Sequence, residues 1–341
     1  MLNIPRSISA YQAFTQDMQV LHTLEQLDAK LAECDAAAKI SDEALRRVFS
    51  TFRMNFSKQL PRDPFSVEYR TFQLALYERL SGGAYNVANE KSKFNVEEAE
   101  RRPFPYYTGS CATVGVFGLR LGALLRTRRL NSGARVLDLG AGFGNTTIEM
   151  ALTGLKVTAL DIESDFCDLL RKRAIRHEVN IDVVNADFMW IESAAESFDG
   201  AVFFESFHHC LDHIRLFDAL QNVIKPGGRI YFGSEPILRD FPIPWGLRMD
   251  GEALWAIRSN KWLELGFSES YFRAALARAG WAVTKHVISG LDESESVWVA
   301  YRPHEAKVDQ MPSAPSAARK IARMLPPSIR ATIRRILPDV F

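Results

Sequence analysis

Apolar residues fall at three- and four-residue steps in the first third of the chain and in short continuous runs through its middle. Residues 7–38 place Tyr11, Phe14, Met18, Leu21, Leu24, Leu27, Leu31 and Cys34 on one face, with acids and lysines opposite, which predicts an amphipathic helix. Two uses of that stripe stay open. It packs on the body of the protein, or it forms a homodimer seam, since the repeat lasts over three heptads without paired flanking charges. A second helix starts at Ser41, with Asp42 and Glu43 in its first turn, and is expected to reach about Phe56. Pro61 and Pro64 break the pattern, Ser66 to Leu80 resume it, and Gly82-Gly83 end it. Lys91 to Arg102 are dense in charge and read as solvated, and a further helix is expected from about Cys111 to Leu130.

From residue 135 the period changes. Strands are expected near 135–139, 156–160, 180–185, 199–204 and 229–234, with helices near 145–153, 164–177 and 213–224 between them. A last helix over 270–279 and an antiparallel pair at 283–289 and 297–302 close the series. This alternation predicts an α/β protein with a doubly wound, mostly parallel seven-stranded sheet, preceded by a helical extension over 1–105. Ligands of such sheets sit beyond the carboxyl ends of the strands. Asp138, Asp161, Asp187, Glu205 and Glu235 all fall at or near those ends, so one shared site is expected for the five. Residues 236–268 interrupt the alternation with three prolines and with Trp245, Trp255 and Trp262 among charged residues. They read as an insertion forming the substrate wall, with aromatic platforms suited to a sugar; a structural cap has the same composition.

Composition narrows the partners. The 341 residues are 47% apolar and 24% charged, the profile of a soluble globular protein. Forty-two basic against 41 acidic residues give +1, so no net field draws the chain to nucleic acid. Four cysteines without C-x-x-C spacing argue against a zinc site and a disulfide framework, so no metal is expected. No signal-like apolar core opens the chain, and the stretch Val114 to Leu125 is short and contains Arg120; a cytoplasmic, non-spanning protein is expected. After a linker at Met311 to Ser316, residues 319–337 carry six basic residues, no acids and apolar positions at helical steps. That tail, within 304–341, either meets an anionic membrane surface peripherally or packs on its own domain.

The chemistry concentrates at one turn. A strand at Arg135 to Leu139, the turn Gly140-Ala141-Gly142-Phe143-Gly144 and a helix from Asn145 form a βαβ unit with the strand ending at Asp161. Glycines let a ligand approach the backbone, and a carboxylate about 20 residues on suits ribose hydroxyls. A nucleoside ligand is implied. With Asn145 at the sixth position the pattern departs from the dinucleotide fingerprint, and no Tyr is followed four residues later by Lys, which counts against a nicotinamide oxidoreductase. Asp138-x-Gly-x-Gly-x-Gly instead resembles the first motif of the class I S-adenosylmethionine (SAM) methyltransferases. The resemblance continues through Asn185-Ala186-Asp187-Phe188, Glu205-Ser206-Phe207-His208-His209 and Lys225-Pro226-Gly227-Gly228, and covers roughly 106–302.

What the resemblance implies is a Rossmann-like methyltransferase domain over 106–303 with SAM as cofactor. Gly140, Ala141 and Gly142 would approach the methionine moiety, Asp161 the ribose, and Ile162, Asp187 and Phe188 the adenine. Asp138 would hold the turn or the ligand's amino group, and Glu205 and Tyr107 complete the cofactor set, with Tyr106 and Tyr107 as lid residues. Enzymes of this fold that methylate bases or amides carry Asn or Asp before two prolines, where this chain has Glu205-Ser-Phe-His-His-Cys. It looks like the small-molecule and sugar O-methyltransferase branch. A sugar, glycan or glycosylated acceptor is expected, with a lipid or phenol, or a non-catalytic SAM-binding scaffold, as alternatives. His208 or His209 is expected as general base, and Glu235 as its orienter or a ligand of the acceptor.

Overall fold

The computed structural model describes residues 18–303 apart from 56–59, 93, 128–129, 289–290 and 292–294. Residues 7–17 of the first expected helix and the basic tail at 319–337 lie outside the described residues. The described chain begins with β1 (Gln19–Leu21), α1 (Leu24–Ala38), α2 (Asp42–Phe49), β2 (Phe52–Met54), α3 (Val67–Ser81), α4 (Val96–Arg101) and α5 (Cys111–Thr127). The first helix therefore starts later than the apolar stripe suggested. Thr23 stops it with a capping box, its side chain taking the Gln26 N–H while Gln26 reaches back to the Thr23 N–H, and Gln19–Leu21 pairs instead with Phe52–Met54 in parallel. That pairing also ends the second helix at Phe49 rather than at about Phe56.

The core follows as β3 (Arg135–Leu139), α6 (Asn145–Leu152), β4 (Lys156–Asp161), α7 (Ser164–Arg176), β5 (Ile181–Asn185), β6 (Phe198–Phe204), α8 (His213–Val223) and β7 (Ile224–Gly233). Next come β8 (Ile237–Leu238), β9 (Trp245–Leu247), α9 (Gly251–Asn260), β10 (Leu265–Ser268), α10 (Glu269–Arg278), β11 (Ala282–His286) and β12 (Val297–Tyr301). The main sheet has seven strands in the order β11-β12-β7-β6-β3-β4-β5, with β11 and β12 antiparallel and the rest parallel. Chain order reverses direction between β3 and β6, which opens a cleft at their carboxyl ends. Lys225 to Gly228, expected as a turn before the fifth strand, lies inside β7, with Gly227 at φ +79° and a register shift opposite Phe198–Gly200.

The insertion does not stand alone. β8, β9 and β10 form a small sheet, and α9 packs on α2 and α3. Tyr69 Oη donates to the Trp245 carbonyl at 2.8 Å, Trp245 Nε1 to the Pro64 carbonyl at 2.8 Å, and Trp255 Nε1 to Asp35 at 3.0 Å. Leu27, Leu31, Cys34 and Ala37 are buried in the same core as Trp245, Trp255 and sheet residues such as Phe203 and Phe232. The described part of the stripe considered for a homodimer seam, at Leu21, Leu27, Leu31 and Cys34, is thus covered within the chain. Among the described residues, no helix is long and apolar enough to cross a membrane.

Candidate active site

The glycine turn works because two of its positions have no room for a side chain. Gly140 has φ +73°, and a Cβ there would lie 2.6 Å from Ser206 Cβ; Gly144 has φ +76°, and a Cβ there would lie 2.4 Å from Leu170 Cδ2. Gly142 N–H donates to Asp161 Oδ2 at 2.8 Å, so the end of β4 fixes the turn after β3. The other Asp161 oxygen accepts the Glu163 N–H at 2.9 Å. Burial pushes the Asp161 carboxyl up to about 6, against the opposing pull of those two N–H groups. Asn145 explains the non-glycine sixth position: its amide donates to the Phe104 carbonyl at 2.6 Å and accepts from Arg173 at 2.9 Å, stitching the turn to two other segments.

The resulting cleft, of about 210 Å³, gathers Gly140, Ala141, Gly142, Asp161, Ile162, Asp187, Phe188, Glu205 and His209 of the expected residues. Asp187 also caps the short turn after β5, accepting the Met189 N–H at 2.8 Å. The expectation of five clustered acids needs correction. Asp138 is 1% exposed and takes the Thr147 hydroxyl at 2.6 Å, so it holds the turn and does not line the cleft. Glu235 is fully buried, its oxygens accepting the backbone N–H groups of Ser206, Phe207 and His208 at 2.8, 2.9 and 3.1 Å. It shapes the loop after β6.

Tyr107 is also set back from the cleft. Its ring lies tilted against Phe104 and Phe143, with centroids 6.1 and 6.3 Å away, and Phe104 takes the wall position. Tyr106 is half exposed and absent from the lining. The two histidines meet different partners, although their ring centroids lie only 4.3 Å apart. His208 is 1% exposed with Nδ1 2.8 Å from Glu235 Oε2, while His209 lines the cleft with Nδ1 2.9 Å from Glu90 Oε2. The tryptophan platforms are corrected too. Trp245 and Trp255 are buried in the cap, and of the three only Trp262 reaches the cleft.

The residues lining this cleft from Gly140 to His209 lie inside a segment, 136–228, that matches the family described as "Methyltransferase domain". This segment is a methyltransferase domain. The chain is similar to 27-O-demethylrifamycin SV methyltransferase of Amycolatopsis mediterranei, 30% identical over 44% of this chain and 55% of the relative. It is similar also to a ubiquinone biosynthesis O-methyltransferase of Xanthomonas axonopodis pv. citri, 31% identical over 30% of this chain and 44% of the relative. A SAM-dependent methyltransferase from Mesorhizobium loti superposes with a TM-score of 0.45 at 22% identity, over 54% of this chain and 98% of that one. The chain spans about half the length of the curated relatives it matches.

Several residues that shape the methyltransferase cleft had no motif to announce them. Phe104, Phe117, Val87 and Glu90 enter from segments ahead of the domain, and Trp262 from the insertion. Arg120, which had counted only as a charge in an apolar stretch, is the one with a signal in the sequence. It is 3% exposed and bridges Glu205 at 3.0 Å and Glu295 at 2.5 Å, fixing Glu205 at φ +54° on the cleft edge. Glu264, 1% exposed, gathers with His208 and His209 although nothing in its sequence surroundings marked it.

Proposed function

We propose that the chain methylates a hydroxyl group on a small organic acceptor with a flat apolar face, using SAM. The observation that carries this reading is a single cleft running from the glycine turn and Asp161 to His209. In this reading Gly140 to Gly142 take the methionine end, Asp161 the ribose hydroxyls, and Ile162, Asp187 and Phe188 the adenine. SAM's methyl is already activated as a sulfonium, so the protein's task is to hold an oxygen in line with it. The O–CH3 bond forms as the S–CH3 bond breaks, S-adenosylhomocysteine leaves, and the hydroxyl proton passes to water in the cleft. His209, and not the sealed His208, is the histidine that meets the acceptor.

The acceptor's character follows from the wall. Phe104, Phe117, Phe204, Val87 and Trp262 supply apolar surface, and Glu90, Glu205 and His209 supply the polar edge, a division that suits a phenol or a hydroxylated ring system. The glycan expectation loses support because Trp245 and Trp255 serve the cap. Relatives named for rifamycin and ubiquinone O-methylation support an oxygen acceptor. The test is release of S-adenosylhomocysteine from SAM with pools of phenols, hydroxylated polyketides and nucleotide sugars. The phenol or polyketide pool is expected to respond; a response confined to nucleotide sugars, or NAD bound more tightly than SAM by calorimetry, overturns the reading.

A further inference from the structure

We propose that His208, His209 and Glu264 form a binding site for a first-row divalent transition-metal ion on the buried side of His209, next to the cleft. One ligand atom from each of the three lies within 4.8 Å of the other two. His208 Nε2 stands 3.7 Å from Glu264 Oε2, too long for a direct hydrogen bond. Two ligands about 2.0–2.1 Å from a shared tetrahedral ion would lie roughly 3.3 Å apart, so the pair needs to close by only a few tenths of an ångström.

The hydrogen bonds around His208 set which nitrogen faces Glu264. Both Glu235 oxygens accept backbone N–H groups, and Oε2 also meets His208 Nδ1 at 2.8 Å. In the tautomer whose Nδ1–H donates to that carboxylate, Nε2 is the ring nitrogen on the Glu264 side and can serve as a ligand. The pattern of carboxylate, histidine and ion is how proteins orient imidazole ligands, and Glu235 holds His208 in that way; the Glu90 carboxylate lies 2.9 Å from His209 Nδ1. Three carboxylates gather round the two imidazoles, with the Arg248 guanidinium 3.5 Å from Glu264. Two nitrogens and one oxygen select zinc, manganese, iron or cobalt over magnesium or calcium, which prefer all-oxygen sets. His209 lines the cleft and gives the ion its route in and its contact with ligand.

The catalytic use of the ion rests on the O-methylation reading. Held by His208, His209 and Glu264, the ion would act as a Lewis acid that eases loss of the acceptor hydroxyl's proton to water as its oxygen takes the methyl. The site itself is tested without that chemistry. Tag-free full-length protein, stripped with chelator, is titrated calorimetrically with Zn2+, Mn2+ and Mg2+ in the absence of SAM. One Zn2+ or Mn2+ per chain is expected, with Mg2+ at least a hundredfold weaker. His209→Ala is expected to weaken binding tenfold or more. Glu264→Gln should do the same, but Glu264 also meets Arg248, so His209→Ala decides if that variant fails to fold. Cys111 is exposed, and Cys111→Ser should leave the titration unchanged. No saturable binding, equal affinity in folded His209→Ala, or loss of binding in Cys111→Ser overturns the site. Metal binding without SAM binding sinks the methylation reading alone, and SAM binding without metal sinks this inference alone.

Discussion

Asp161 uses both carboxylate oxygens on backbone N–H groups and still faces the cleft, so its charge state matters to whatever binds there. Ribose hydroxyls donate to the ionised form. With the carboxyl pushed up to about 6 by burial, SAM affinity is expected to rise from pH 5 to pH 7 and then level off. Calorimetry at pH 5.5 and 7.5 checks this, with a gain of several-fold expected, and Asp161→Ala should weaken binding at pH 7.5 by about 1–3 kcal/mol. The stability effect has the opposite sign. A carboxyl raised above its unfolded value of 3.8 contributes stability fully below about pH 4 and loses it as pH rises through about 6. Asp161→Asn should flatten that slope in urea unfolding. At this scale the placement of the glycines, Asp161 and Asp187 around one cleft was legible because spacing along a βαβ unit fixes where strand ends and turns fall. Phe104 in place of Tyr107, and Glu264 with the two histidines, were not, because which residue of a turn faces inward depends on packing from distant segments.

At the scale of elements, the core strands and helices were readable to within a residue or two over most of their length, because each strand of a covered parallel sheet is a continuous apolar run. The three-residue strands β1 and β2 were not readable; nothing so short shows a period. Their presence moved the start of α1 to the cap at Thr23 and the end of α2 to Phe49. Thr23→Ala removes half of the capping box and is expected to cost about 1 kcal/mol in thermal unfolding. Tyr69→Phe removes the hydroxyl that α3 gives to the Trp245 carbonyl and, by leaving that buried acceptor short of a donor, should cost about 1–2 kcal/mol. In both cases SAM affinity should stay unchanged, since neither residue lines the cleft.

At the scale of the described molecule, residues that read in sequence as a helical extension and a separate insertion are one cap sharing a core with the sheet. A chain begun at residue 94 would expose Trp245, Trp255 and Trp262 where the first helices had covered them. Expression of that chain should give insoluble or unfolded protein, and a folded, SAM-binding product would refute the shared core. The same cap encloses the cleft. Glu90 accepts the Leu263 N–H at 2.8 Å and Trp262 donates to the Lys91 carbonyl at 3.1 Å, so the wall from Val87 to Ser92 is clamped to the insertion. A spent cofactor held behind that wall has to wait for those bonds to part. Turnover should therefore show a rapid first cycle followed by a slower steady rate paced by escape of S-adenosylhomocysteine, and Trp262→Phe, which lets go of Lys91, should raise the steady rate at saturating acceptor.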